Sequence, residues 1–176
     1  MASIGHVFVG LAAGRAFSAD REVAKRAAMA FSIISLAPDA DAIGFVFGIR
    51  YGDSFGHRGA THSLVMAALV GLLAYAFAQR RSLPPARTAA FAGLVALSHP
   101  LLDTMTYGGG PGCALLWPFS DERFWSPLRF IPISPIGAGL LSARGARVVG
   151  AEILIFAPFW IYALWPRRAK APAPPA

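Results

Sequence analysis

The side chains best suited to chemistry in this sequence are histidines and aspartates within or beside apolar stretches. All four histidines and three of the six aspartates share this placement: His6, Asp39, Asp41, His57, His62, His99 and Asp103. Ionisable side chains are costly in such stretches and commonly mark a functional site. Imidazole and carboxylate groups together are typical ligands of zinc, manganese or iron(II). We therefore predict a metal site built from these seven residues.

The local spacing indicates how two pairs of these side chains can converge. His99 and Asp103 are four residues apart, so a helix places them on the same face. Pro38 lacks a backbone N–H and tends to break a helix. The following residues, Asp39 and Asp41, can then leave helical geometry and turn inward together.

A third group comes from the run His57 to His62. Gly59 allows an unusual backbone angle, and Thr61 is suited to cap the next helix, so that His62 projects from its first turn. Three imidazoles and three carboxylates exceed the ligands of one closed tetrahedral site. This excess favours two ions about 3.5 to 4 Å apart. The lone cysteine, Cys113, lies outside these groups, which argues against a structural thiolate zinc site.

Five apolar segments must position these residues. The chain has 176 residues, of which 56% are apolar and 14% charged, whereas ordinary soluble domains are about 25% charged. The segments are 4–17, 27–49, 63–78, 88–106 and 148–165. A membrane span needs roughly 20 residues, a length that only the fourth and fifth segments fit cleanly. The pattern predicts an all-α integral membrane bundle of about five helices, with a buried helix of a soluble protein as the alternative for the short segments.

The basic residues predict an orientation for this bundle. If the five segments alternate in direction, ten Lys and Arg residues lie in one set of connections and six in the other. The richer set marks the cytoplasmic side, so the long irregular connection 107–146 faces outward. All seven candidate ligands then lie towards the outward end. The net charge of +7 comes from short clusters without interleaved aromatic residues, which argues against nucleic acid as the main partner.

The chain is predicted to form one domain over residues 1–168. The Ala- and Pro-rich tail, 169–176, is predicted to be disordered. The first apolar segment has no basic residues before it and contains Arg15, so it does not fit a cleaved secretory signal.

Several short motifs together resemble one known family. They follow an early His6 and comprise APDAD at 37–41, HRGATHS at 57–63, SHPLLD at 98–103 and LLWPFS at 115–120. Over residues 1–145 the chain resembles the membrane-bound, metal-dependent hydrolases typified by the bacterial inner-membrane protein YdjM. That family is distantly similar to zinc-dependent phospholipase C and P1-type nucleases. The resemblance implies a multi-pass protein of the bacterial inner membrane whose metal-binding pattern maps onto the seven residues above.

The implied activity is phosphoester hydrolysis with two divalent ions, zinc above all, with manganese or iron as alternatives. Asp39 or Asp103 would orient the attacking water. Arg58 would stabilise a phosphoryl oxygen, because a guanidinium matches phosphate geometry, and Arg123 is a weaker candidate for that role. Glu152 would supply a further carboxylate or a partner for a ligand histidine.

The substrate is expected to be a membrane lipid or a lipid-linked phosphoester. The expectation rests on the place of the site near the headgroups, where aromatic residues of the long connection such as Trp117 and Trp125 are typical.

A membrane transporter or proton relay using the same cluster is the main alternative, because intramembrane His and Asp chains also serve those roles. Transport sites usually lie near the bilayer midplane, often between repeated halves. Here the polar residues lie towards one end and the sequence shows no repeat, which favours an enzyme. A non-catalytic protein with a closed structural metal site is the third interpretation.

Overall fold

The computed structural model describes residues 3–167, and within this range the protein is mainly helical. Its six α-helices are α1 (Ser3–Phe17), α2 (Arg21–Leu36), α3 (Leu64–Arg80), α4 (Pro85–Thr104), α5 (Ala143–Ile155) and α6 (Ala157–Leu164). Three 3-10 segments (Ala37–Phe47, Ala60–His62, Gly137–Leu141) and two short strands, β1 (Thr106–Tyr107) and β2 (Ile131–Pro132), join them. The predicted helical class is confirmed, whereas the predicted tail 169–176 lies outside the described residues.

The helix boundaries follow from local side-chain chemistry. The Asp20 side chain accepts a hydrogen bond from Val23 N (2.8 Å) and caps α2, as expected for an N-cap carboxylate. Ser63 caps α3 by accepting from Met66 N (3.1 Å). The prediction that Thr61 caps this helix was wrong, because Thr61 lies within the 3-10 turn Ala60–His62 and α3 begins only at Leu64.

Close packing of α1 against α2 depends on two glycines spaced by four residues. A Cβ at Gly10 would lie 2.4 Å from Ser32 Cα, and one at Gly14 would lie 2.2 Å from Ala28 Cα. Small residues at this spacing allow two helix backbones to approach closely, as in membrane helix pairs. This close packing sets the orientation of α2 relative to α1, and the chain continues from the end of α2 to Asp39.

The exterior of the bundle is apolar. Leu72, Leu73, Leu154 and Leu164 are all more than 60% exposed, while most candidate ligands are buried. Soluble proteins rarely expose apolar surface on this scale. The distribution agrees with a protein whose outer surface contacts lipid.

The helices differ from the five predicted spans in length and continuity. Within residues 3–167 one continuous helical stretch, Arg21–Phe47, is long and apolar enough to cross a membrane. The fifth predicted segment is two helices, Ala143–Ile155 and Ala157–Leu164, bent by 64°. The break comes immediately before Pro158, which lacks the N–H that a continuous helix needs. Counted as one broken span, this pair gives a second candidate.

The fourth predicted segment also needs correction, whereas the first and third segments are short, as predicted. The fourth segment forms a 20-residue helix, α4, but it is not apolar enough to qualify as a candidate span. Its buried face carries His99, Asp103 and Thr104, which lower its hydropathy. The first and third segments form apolar helices shorter than 18 residues.

The connection from 105 to 142 is irregular, as predicted, but backbone hydrogen bonds link its segments to one another. Strand β1 pairs in parallel with β2, with Thr106 opposite Ile131. Cys113 and Phe124 exchange backbone hydrogen bonds of 3.0 and 2.9 Å. These links hold the connection against the end of the bundle where α4 finishes.

Candidate metal centre

The seven predicted ligands lie together at one end of the bundle. His6 stands in the first turns of α1, and Asp39 and Asp41 lie in the 3-10 segment after α2. His57 and His62 precede α3, while the last turns of α4 carry His99 and Asp103. As the sequence predicts, the chain leaves α-helical geometry next to Pro38, since α2 ends at Leu36 and 3-10 geometry follows. The break turns both aspartates towards the histidines.

Four of these residues form an inner group. Single donor atoms of Asp39, His62, His99 and Asp103 all lie within 4.8 Å of one another. His62 Nε2 is 3.7 Å from Asp39 Oδ1 and 3.6 Å from Asp103 Oδ2. His99 Nε2 is 3.3 Å from the same Asp39 oxygen. Two imidazole nitrogens and two carboxylate oxygens thus surround one point.

The hydrogen bonds of His99 identify which ring nitrogen faces the group. His99 Nδ1 lies 2.6 Å from the Ser35 carbonyl oxygen, so Nδ1 carries the proton and Nε2 presents its lone pair. His99 Nε2 is 3.0 Å from His62 Nε2. When His62 also presents a lone pair, the two nitrogens repel unless a cation lies beside them. This arrangement fits metal ligation, in which a backbone carbonyl commonly fixes the histidine tautomer.

Asp41 organises a second group on the other side of His62. Its carboxylate lies 2.6 Å from His57 Nδ1 and 3.2 Å from His62 Nδ1. The Thr61 hydroxyl donates to it (2.5 Å), as does the backbone N–H of Arg58 (3.2 Å). Donor atoms of Asp41, His57 and His62 also lie within 4.8 Å of one another. His62 therefore belongs to both groups.

His6 joins the inner group through its ring. The imidazole is fully buried and stacks on His99, with ring centroids 3.7 Å apart. Its Nε2 is 3.7 Å from Asp103 Oδ1, and neither ring nitrogen has a hydrogen-bond partner among the described residues. Buried polar atoms are nearly always partnered, so His6 has unused capacity to bind a ligand.

The donor set of the cluster also fits a divalent cation. The carboxylates of Asp39, Asp41 and Asp103 lie among the imidazoles and beside the guanidinium of Arg58, and imidazole with carboxylate is a common ligand set for such ions. Burial lowers the pKa of His62, but the Asp103, Asp39 and Asp41 carboxylates outweigh it and raise that pKa to about 10. The cluster thus favours positive charge at His62, and a proton and a metal ion compete for that imidazole.

Arg58 is a buried part of the site. It is 1% exposed, and its Nε lies 2.9 Å from Asp103 Oδ2. Burial lowers the pKa of the guanidinium, but the Asp103 charge more than offsets this and raises it. The Arg58 backbone has a φ of +62°, a left-handed conformation that costs free energy outside glycine and tends to occur at functional sites. Sequence reasoning expected an unusual angle at Gly59, which has φ −88° and ψ −129°, but it did not anticipate the one at Arg58.

Gly59 is required for a different reason. A Cβ at this position would lie 2.3 Å from the Ser54 carbonyl oxygen. The close approach folds the HRGATHS segment back on itself, so that His57 and His62 both face Asp41.

A cavity of about 190 Å³ opens onto the cluster. Its lining includes Asp39, His57, Arg58 and Tyr51, together with apolar residues of the segment 133–140. The Tyr51 hydroxyl is buried without a hydrogen-bond partner among the described residues, and burial raises its pKa to about 12. Tyr51 is therefore a protonated donor. Sequence reasoning missed it because an isolated tyrosine belongs to none of the motifs.

The two predicted accessory residues, Arg123 and Glu152, both contact the backbone. Arg123 donates to the backbone carbonyls of Tyr51, Asp53, His57 and Gly112, so it ties loops together rather than lining the cavity. The buried Glu152 accepts a hydrogen bond from Gly5 N (3.0 Å). It therefore secures the first turn of α1 next to His6, which the sequence alone did not indicate.

Comparisons with known proteins identify related inner membrane proteins. The YdjM inner membrane protein family matches residues 1–171. The chain is 41% identical over 132 residues to the inner membrane protein YbcI of Escherichia coli (strain K12), a match that covers 74% of this chain and 73% of that protein. No solved structure is significantly similar to the chain.

Proposed function

We propose that this chain, which belongs to the YdjM family of inner membrane proteins, is a membrane-bound metal-dependent hydrolase that cleaves a phosphoester. One observation carries the proposal: the donor atoms of Asp39, His62, His99 and Asp103 converge beside a cavity that Arg58 also lines. A metal site next to an open cavity has room for a substrate, which a closed structural site does not.

The proposed site holds two divalent ions, and zinc is the ion expected first. Asp39, His62, His99 and Asp103 would hold one ion, and the group Asp41, His57 and His62 would hold the second. The ring nitrogens of His6, which have no hydrogen-bond partner among the described residues, lie beside the first group. Divalent ions at such a site supply Lewis acidity, which activates water and polarises a phosphoryl group.

The two aspartates nominated for catalysis have different surroundings. The Asp39 side chain is 23% exposed and lines the cavity, so it can contact an attacking water and orient it. The Asp103 side chain is 1% exposed and lies against Arg58 Nε. Asp103 is therefore proposed as a ligand that also positions Arg58, and Asp39 as the group that orients the water.

Arg58 and Tyr51 are proposed to bind the phosphoryl group. Arg58 contacts Asp103 through Nε and Thr106 Oγ1 through one terminal nitrogen (3.2 Å), which leaves further N–H donors at the cavity. A guanidinium donates paired hydrogen bonds to phosphate oxygens. The Tyr51 hydroxyl can donate to a phosphoryl or leaving-group oxygen.

The cavity size favours a substrate that is only partly enclosed. Pockets that enclose a drug-sized ligand measure roughly 300 to 1,000 Å³, whereas this cavity measures about 190 Å³. It suits a phosphate with its nearest substituents. The apolar residues Ile133, Ile136 and Leu140 at its rim would contact the rest of a lipid or lipid-linked substrate.

A transport role has less support. A conduction path needs polar groups along the bundle axis. Within residues 3–167 the candidate metal-binding groups of three or more His, Cys, Asp or Glu residues all belong to the one cluster at a single end.

The direct test is hydrolysis by the purified, zinc- or manganese-loaded protein in detergent. The substrates are bis(p-nitrophenyl) phosphate and vesicles of phosphatidylglycerol or phosphatidic acid. We expect turnover that EDTA abolishes. Asp39→Asn should reduce it by at least about 100-fold, because a misplaced nucleophile can cost a factor of this size, whereas the matched variant of the exposed Asp121, Asp121→Asn, should leave it unchanged. A folded, metal-loaded protein that cleaves none of these substrates would overturn the proposal, and zinc uptake into proteoliposomes would then support transport.

A further inference from the structure

A second cavity, of about 550 Å³, lies where α1 and α6 end and α2 begins. Because α1 starts at the metal cluster and runs away from it, this cavity is at the opposite end of the bundle. We call it the basic groove, and its lining includes Arg15, Arg21, Lys25 and Arg167. A neighbouring cavity shares Arg15 and Arg167 and adds Arg87. The cationic side chains of three helices therefore surround adjoining spaces.

Helix ends hold several of these guanidinium groups in place. Arg15 donates to the carbonyl oxygens of Ala163 (3.3 Å) and Trp165 (2.5 Å) at the end of α6. Arg167 donates to the carbonyl oxygen of Arg15 (3.1 Å) near the end of α1. Carbonyl groups at helix C-termini lack partners within the helix. The guanidinium groups are thus fixed, and each retains N–H donors for a ligand.

Within residues 3–167, most of the positive charge in the groove has no carboxylate partner. Among the described residues, Arg15, Arg21 and Arg167 form no ion pair with a carboxylate. Lys25 pairs only with the exposed Glu22 (2.7 Å), and exposed pairs of this kind contribute little. The unneutralised charge favours an anion.

The remainder of the lining is apolar. Leu11, Ala28, Leu164 and Trp165 contribute to the same cavity. A small hydrophilic anion would gain nothing from this surface, whereas a phospholipid places phosphate and acyl chains side by side. We propose that the basic groove binds the headgroup of an anionic phospholipid, with its phosphate on the arginines and its glycerol and upper acyl chains on the apolar residues.

The position of the groove agrees with such a ligand. It lies in the set of connections that the Lys and Arg count places on the cytoplasmic side. Basic pockets between membrane helices on that side bind anionic headgroups. A volume of about 550 Å³ is also within the range of about 300 to 1,000 Å³ typical of small-molecule sites. The inference is independent of the proposed hydrolase activity, which concerns the other end of the bundle.

The test is native mass spectrometry of the full-length protein in mild detergent, titrated with phosphatidylglycerol or phosphatidylcholine. We expect one phosphatidylglycerol to bind in preference to phosphatidylcholine. The double variant Arg21→Gln/Lys25→Gln should weaken its binding by about tenfold. These two residues form none of the helix-end contacts described above, so the variant should unfold at the wild-type temperature.

The matched control is Arg80→Gln/Arg81→Gln, which removes the same charge at the end of α3, outside the groove. It should bind phosphatidylglycerol as the wild type does. Equal weakening in both double variants would show nonspecific surface charge and overturn the proposal, as would equal binding of the two lipids. Displacement of the lipid by millimolar inorganic phosphate would also overturn it, because the groove would then be a site for a free anion.

Discussion

The two ends of the bundle hold their charges in contrasting ways. At the metal cluster the carboxylates meet imidazoles, and Arg58 is buried against Asp103. At the basic groove the arginines contact backbone carbonyls and lie nearer the surface, as for Arg15 at Trp165 O. Burial is the difference that matters, because a buried charge must be compensated whereas an exposed one can remain unpaired. The first end is therefore suited to chemistry, and the second to binding the membrane surface.

The largest predicted effect of this contrast concerns Asp103. Asp103→Asn removes the charge that compensates the buried Arg58, and breaking a buried pair typically costs about 3–5 kcal/mol. We expect a loss of that size in the free energy of unfolding, measured by denaturant titration in detergent. Arg87→Gln at the other end should cost less than about 1 kcal/mol, because its contact to Ala16 O is exposed. Equal losses of unfolding free energy in the two variants would contradict the difference in charge burial between the two ends.

Substitution of Arg123 should have an effect on stability between those of the Asp103 and Arg87 variants. Arg123→Gln removes donors to four backbone carbonyls, and hydrogen bonds from charged groups contribute about 1.5–3 kcal/mol. We expect the free energy of unfolding to fall by about 2–3 kcal/mol, by the same titration. Arg129→Gln, in the same connection, is the control and should have little effect. A loss of hydrolysis without a loss of stability would instead place Arg123 in the catalytic machinery.

Asp41 tests the second ion site at the buried end. Its carboxylate is close to both His57 and His62, and these three residues are the proposed ligands of the second ion. We predict that Asp41→Asn binds one zinc ion fewer than the wild type while the protein remains folded, measured by competition with a chromophoric chelator. Two ions bound with unchanged affinity in the variant would contradict this assignment.

The smallest predicted effect concerns Cys113, near the cluster but outside it. The residue is fully buried, and burial raises the pKa of its thiol. Because the thiolate is the reactive form, N-ethylmaleimide at pH 8 should leave Cys113 unmodified in the folded protein and label it after denaturation. Mass spectrometry measures the adduct, and rapid labelling of the folded protein would show that this end is open.

The sequence predicted local features of the cluster more accurately than the extent of the helices. The spacing of His99 and Asp103 and the break near Pro38 are set by short-range geometry, so they could be anticipated. Pro158 was overlooked within an apolar stretch, and the predicted single span is two bent helices. The fourth segment has the length of a membrane span, but polar side chains on the buried face of α4 make this helix insufficiently apolar. A prediction based on length did not take these side chains into account.

Roles that depend on distant contacts could not be anticipated. Tyr51 enters the cavity because the loops fold over it, and Ser35 contributes a backbone carbonyl to His99, which no side-chain motif encodes. Arg123 resembles a phosphate-binding residue in sequence, yet it donates to backbone carbonyls of two loops, the one that contains Tyr51 and His57 and the one that contains Gly112. Such assignments require the tertiary fold.

The metal content of the purified protein, measured by elemental mass spectrometry, tests the proposed metal centre most directly. We expect about two divalent ions per chain in the wild type. His62→Ala should lose them, because His62 belongs to both groups, whereas Asp121→Ala should retain them. A folded wild-type protein that binds no divalent ion, even after incubation with zinc or manganese, would show that the cluster is not a metal centre.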